Sequence, residues 1–213
     1  MSDHGILAIW NDARPGREGD FETWFQGEHI EERLAVPGFL FGRRHRAISG
    51  SNGYFNFYLT QTPATLTSRP YLERLDNPTP MTRMIMEEVF ANMNRTVCRR
   101  AYRHAGFRGA YAVTARFSAA PDEAALKAEI ARLAADPARV VNGEIWIALD
   151  PTGMPVSKEE QLRGGDKKIA GCLMIDTLQQ KDAEAIGVEL AQKFPDTEVG
   201  VFRVLCQLGR GDL

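Results

Sequence analysis

The spacing of apolar and polar residues divides the chain into two similar successions of elements. From Gly5 to Asn11 lies a short apolar run, Ile-Leu-Ala-Ile-Trp, which predicts a buried first strand. Pro15 and two glycines before Asp20 predict a loop, and Asp20 suits the N-cap of a helix. Phe21, Trp24, Phe25 and Glu28 then fall on one arc of a helix with 3.6 residues per turn, and His29 sits at the edge of that arc. Pro37-Gly38 ends this helix. The run from Phe39 to Ser49 predicts a second strand, and Gly50-Ser51-Asn52-Gly53 a hairpin turn. From Tyr54 to Gln61 the pattern alternates, with Phe55, Phe57 and Leu59 against Tyr54, Asn56 and Tyr58, which predicts a third strand with two distinct faces. Pro78 and Pro80 split the next segment into a short helical piece, 68–75, and a longer helix, 81–92. A fourth strand is expected over 95–103.

After a boundary at 104–108 the same order returns. Strands are expected over 110–117, 140–149, 168–178 and 198–208, and helices over 121–135 and 181–194. A polar loop is expected over 150–165. Each half therefore reads β-α-β-β-α-β, the ferredoxin-like arrangement of an antiparallel sheet with two helices on one face. The open sheet face of such a unit needs cover. Two units in one chain predict an α+β, tandem ferredoxin-like pseudo-dimer, halves 1–106 and 107–213, closing an intrachain dimeric α/β-barrel. This also accounts for strands that are apolar on both faces.

Composition narrows the class of partner. The chain has 213 residues, 44% hydrophobic and 25% charged, with a formal net charge of -2, which argues against a nucleic-acid or acidic-membrane partner. From Met1 to Gly106 every basic residue apart from histidine is arginine, whose planar donor fork suits buried ion pairs and anions. Cys98, Cys172 and Cys206 stand far apart, with no CxxC pair, as expected of free thiols in a reducing compartment. The N-terminus has no basic segment ahead of its apolar residues, and no apolar run is long enough to span a bilayer. A cytoplasmic location is expected.

Residues 24–34, Trp-Phe-Gln-Gly-Glu-His-Ile-Glu-Glu-Arg-Leu, with Val36-Pro37-Gly38-Phe39 and Gly42-Arg43-Arg44, resemble the first half of EthD-like proteins of the dimeric α/β-barrel superfamily. Tyr71-Leu72 and Asn77-Pro78-Thr79-Pro80 resemble uncharacterised bacterial members of that group. The second half matches in element order only. The resemblance implies a ferredoxin-like barrel with a pocket between helix and sheet. It carries fold better than reaction, because the superfamily spans monooxygenases, peroxidases, isomerases and proteins of no known activity.

The candidate chemistry gathers around His29. A histidine and a carboxylate interrupt an arc otherwise suited to burial, which points to a cavity as well as a core. His29 could serve as a general base, a haem ligand or a hydrogen-bond partner of a ligand; the alternative is a structural histidine bonded across the helix–strand junction. Trp24 is the expected apolar wall, and Arg43 or Arg44 the anion-facing group. Asn56 and Tyr58 could complete a polar wall, with Glu28 on the helix. Glu28, Glu32 and Arg33 also read as a surface charge cluster. The aromatic strand 54–58 lacks an RNA-binding motif. The four histidines show no metal-ligand spacing, and no phosphate loop, nucleophile elbow or dinucleotide fingerprint occurs. The helix from Glu123 lacks aromatics and histidine and reads as a packing copy. The expected function is binding of a small hydrophobic or aromatic molecule, without metal, haem or other cofactor, accessory to breakdown of such a metabolite. A cofactor-independent monooxygenase or isomerase using His29 is the alternative, and a homodimer of pseudo-dimers is a possible assembly.

Overall fold

The computed structural model describes residues 4–104, 107–150, 152 and 156–213. Eight strands carry the architecture: β1 (Gly5–Ala13), β2 (Phe39–Ser49), β3 (Tyr54–Thr60), β4 (Phe90–His104), β5 (Tyr111–Phe117), β6 (Asn142–Ala148), β7 (Gly171–Thr177) and β8 (Glu198–Gly209). They close into one antiparallel barrel in the order β1-β3-β2-β8-β5-β7-β6-β4. Closure leaves no strand edge unpaired, which removes the usual route to edge-to-edge aggregation.

The period-two alternation of the strands builds two kinds of core. One face of each strand fills the barrel: Ile6, Ala8, Trp10, Phe55, Phe57 and Trp146 belong to this interior cluster. The other face packs helices. In the first four-strand unit these are α1 (Glu18–Trp24), a π-helical turn (Phe25–His29), α2 (Ile30–Ala35), α3 (Arg69–Asp76), α4 (Pro80–Met84) and a second π turn (Ile85–Val89). Phe21, Trp24, Leu34, Tyr54, Tyr58 and Tyr71 anchor this layer. In the second unit α5 (Glu123–Ala134) and α7 (Gln180–Lys193) cover the sheet through Leu126, Ile130, Ile186 and Leu190.

The expected alternation of β3 is observed, with Phe55 and Phe57 inside the barrel and Tyr54 and Tyr58 toward the helices. Two expectations shift. The helix expected over 81–92 ends at Val89, and β4 starts at Phe90 because the chain there pairs with Ala13 and Asp12 of β1. The polar loop expected over 150–165 contains α6 (Lys158–Leu162), capped by the Ser157 hydroxyl, which accepts from the Glu160 N–H at 3.3 Å. Two glycines with positive φ, Gly164 at 82° and Gly165 at 96°, end it, conformations that cost glycine little. The expected boundary at residue 106 lies outside the described residues. All three cysteines are free, and burial pushes the Cys98 thiol up to about 12.

Candidate functional site

The helical segment after β1 does not follow a single α-helical period. The Ile30 N–H bonds to the Phe25 carbonyl, five residues back, which inserts one extra residue into the turn. At 100° per residue, positions five apart on an α-helix would lie about 140° apart. The wider turn instead brings His29 onto Trp24, with ring centroids 4.1 Å apart and planes tilted by 32°. Phe25 lies 5.4 Å from the same imidazole. Trp24 is fixed in turn by donating Nε1–H to the Thr82 hydroxyl at 2.9 Å.

His29 is buried, and its Nδ1 has no hydrogen-bond partner. It borders a cavity of about 30 Å³ between this helix, β1, β3 and β4. Phe21, Trp24, Phe25 and Phe90 give the cavity apolar walls, and Asn11 and Asn56 form a polar patch. Asn56 donates to Asn11 Oδ1 at 3.1 Å, while its own Oδ1 is unpartnered. Three arginines reach the same space, Arg33 from α2, Arg95 from β4 and Arg163 from the turn after α6. Arg33 pairs with Glu159 of α6, and both are buried. Arg95 donates to the Tyr71 hydroxyl at 2.7 Å. Arg163 holds Asp166 through two bonds of 2.6 Å. Burial first, and then the positive charges of Arg33, Arg163, Arg44 and Arg95, hold the His29 pKa well below its ordinary value. The imidazole is therefore neutral at physiological pH. A neutral ring with so low a pKa is a good hydrogen-bonding group and a weak proton acceptor.

Of the residues singled out in the sequence, His29, Trp24 and Asn56 share this cavity. The others are placed elsewhere. The π turn carries Glu28 off the cavity arc; its carboxylate accepts from Thr79 at 2.6 Å and Thr82 at 2.7 Å, tying the helix to the start of α4. Arg43 lies on the barrel face of β2, opposite to His29. It donates to Asp176 at 3.0 Å and to the Gly109 carbonyl. Arg44 shares the helix-facing side but lies behind the cavity wall, 4.7 Å from both the Phe21 and Phe25 ring centroids. It is buried, and its terminal nitrogens make no hydrogen bond. The Tyr58 ring centroid is 6.1 Å from that of His29, and burial raises its phenol pKa far above normal, but it does not line the cavity. The surface cluster expected at Glu28, Glu32 and Arg33 is corrected, because Arg33 is only 2% exposed and its partner Glu159 comes from the opposite half of the chain. Arg95, Arg163 and Glu159 had no sequence signal of their own, since arginines in strands and acids in polar loops are usually solvated.

Among the described residues no group of three or more His, Cys, Asp or Glu side chains could hold a metal ion, and no helix is long and apolar enough to cross a membrane.

No protein-family model and no curated protein matches the sequence. Solved structures do match over the whole chain. An anthrone oxidase-like protein superposes with a TM-score of 0.66 at 14% identity, covering 100% of this chain and 96% of that one. A candidate monooxygenase from Fusobacterium nucleatum subsp. nucleatum gives 0.59 at 8% identity, covering 100% and 97%. A candidate chlorite dismutase gives 0.54 at 11%, covering 100% and 97%. These proteins share the architecture expected from the EthD-like residues, and the chain has the dimeric α/β-barrel fold.

Proposed function

We propose that the protein binds a small, largely apolar aromatic molecule in the His29 cavity, on a frame of two ferredoxin-like units, 1–106 and 107–213. The strand orders support that frame: β4-β1-β3-β2 and β8-β5-β7-β6 are the same 4-1-3-2 arrangement, joined at β2–β8 and β4–β6. The single observation that carries the binding reading is the imidazole of His29. A buried ring nitrogen without a partner costs free energy unless something satisfies it, and the residue that carries this one lines an aromatic-walled cavity. The EthD-like residues and the fold shared with an anthrone oxidase-like protein are in keeping with an aromatic ligand. A role accessory to the breakdown of a hydrophobic metabolite follows from that ligand class. Titration with 2-naphthol, read by tryptophan fluorescence because Trp24 lines the cavity, tests the reading. Saturable quenching that weakens at least about tenfold in His29→Ala is expected. No saturable change in the unaltered protein would rule it out.

The second reading is a cofactor-independent monooxygenase or isomerase of the EthD-like kind, with His29 as the proton-handling group. The neutral imidazole beside three arginines favours it, since those charges would stabilise an anion formed from the ligand. The low basicity of the same imidazole speaks against it and makes binding the first choice. Turnover of a hydroquinone under oxygen, or of an unsaturated lactone, that vanishes in His29→Ala would reverse that order.

A further inference from the structure

The His29 cavity is divided from larger spaces by a short piece of chain that belongs to the second half. A second cavity of about 420 Å³ shares Leu75 and Arg95 with it. A third, also about 420 Å³, shares Phe90, Met93 and Arg163. The partition is α6 with the turn that follows. Glu159 and Arg163 face the small cavity, whereas Ser157 and Glu160 line the second one and Gly164 and Gly165 the third. The small cavity alone holds one or two waters, far less than the few hundred Å³ of an ordinary ligand pocket. A ligand of any size must therefore displace part of the partition.

Charge indicates which part. Among the described residues three arginines line the small cavity, and Glu159 is the one carboxylate that does. Arg163 has Asp166 as a bidentate partner, and Arg95 has the Tyr71 hydroxyl. Among the described residues Arg33 has only Glu159 within hydrogen-bonding distance; its Nη1 makes no hydrogen bond, the nearby Glu32 Oε2 lying 3.9 Å away. Arg33 and Glu159 come from segments 126 residues apart, so their pairing depends on α6 staying docked. α6 itself docks through the Lys158 N–H on Asp76 at 3.0 Å, an Arg163 guanidinium nitrogen 3.6 Å from Met86 Sδ and the packing of Leu162 on the helix-layer core of the first unit. The chain beyond the turn is tied to β4 by the Lys167 N–H on the Met93 carbonyl at 2.9 Å and the Arg95 N–H on the Lys167 carbonyl at 3.0 Å. Guanidinium groups bind carboxylates through a matched fork, and Glu159 meets one arm of this one while the other, Nη1, is unpartnered.

We propose that Glu159 is a built-in stand-in for the ligand's own acid group, and that the cavity takes an apolar aromatic carboxylate, which displaces Glu159 from Arg33 and joins the small cavity to its neighbours. This rests on the His29 cavity being the ligand site and adds the ligand's charge. The aromatic body lies against Trp24 and Phe25, the carboxylate meets Arg33, and His29 and Asn56 supply the unpartnered polar atoms.

The test compares 2-naphthoate with its neutral amide, 2-naphthamide, by quenching of tryptophan fluorescence in the full-length protein. The acid should bind at least about tenfold more tightly than the amide. Glu159→Gln removes the competing charge while keeping the side chain's shape. It should tighten 2-naphthoate by about tenfold and leave 2-naphthamide nearly unchanged. The paired change Arg33→Met with Glu159→Leu removes both charges together, which a packed core tolerates better than the loss of one. It should abolish the preference for the acid. Melting curves for each variant establish that it is folded. Equal binding of acid and amide, both weakened by His29→Ala, would overturn this proposal and leave the binding site standing. Binding of neither compound would overturn both.

Discussion

Removing the imidazole of His29 deletes a group that makes no hydrogen bond through Nδ1. His29→Ala should therefore cost little beyond its stack on Trp24, about 0.5–1.5 kcal/mol. Trp24→Ala removes a fully buried indole and its bond to Thr82 and should cost roughly 3–5 kcal/mol. Thermal melting beside a 2-naphthol titration separates the two. A His29→Ala protein that melts many degrees lower and binds as before would make the residue structural. Acid tests the second buried imidazole, His45, inside the barrel, which has Nδ1 on the Phe55 carbonyl at 2.9 Å and whose pKa burial lowers from 6.5 to about 3. The unfolded chain then takes up the proton first, so the stability linked to this ring is complete above about 6.5 and lost as pH falls toward 3. Urea melts between pH 7 and pH 4 should show a shallower decline in His45→Gln than in the parent protein, and equal slopes would mean that the charged ring finds a partner inside. At this scale His29 and Trp24 were legible, because a histidine next to a buried arc breaks a local pattern. Arg33 was not, because its burial depends on Glu159, a residue that no window around it contains.

The helix that carries His29 shows how a local rule can misplace a side chain by one position. Counting at 3.6 residues per turn puts Glu28 under Trp24 and His29 at the rim. The π turn reverses the two. Gly27 lies in this turn with an ordinary φ and nothing within 4 Å of where a Cβ would stand. Gly27→Ala should thus stabilise the protein by about 0.5–1 kcal/mol through a less flexible unfolded chain, with ligand binding unaffected. Urea denaturation checks it, and a loss of stability would show that this turn needs glycine. Strand positions were the most legible elements, since alternation is a property of each strand alone. Helix α6 was the least, because it has one and a half turns of polar residues and is held by contacts to α3 and α2 rather than by its own propensity.

Over the whole molecule the decisive feature is closure. The barrel interior takes Trp10, Phe55 and Phe57 from the first unit and Trp146, Met174 and Phe202 from the second. Separately produced fragments 1–106 and 107–213 should each expose that face and two sheet edges, and aggregate; refolded together they should elute as a single 1:1 complex in size-exclusion chromatography. A soluble, folded single fragment would show that each half covers its own sheet. The eight-strand barrel was legible from element order, while the charged part of the cavity lining was not, because Glu159 and Arg163 come from far along the chain. Carrying both four-strand units on one chain has a further consequence. When two identical subunits close such a barrel, every substitution appears twice, and a residue that improves one face must be tolerated on the other. A single chain is free of that coupling. The two helix faces differ accordingly: Leu126, Ile130, Ile186 and Leu190 cover one sheet, Phe21, Trp24 and His29 lie over the other, and the five-residue α6 reaches across to the second of these through Glu159.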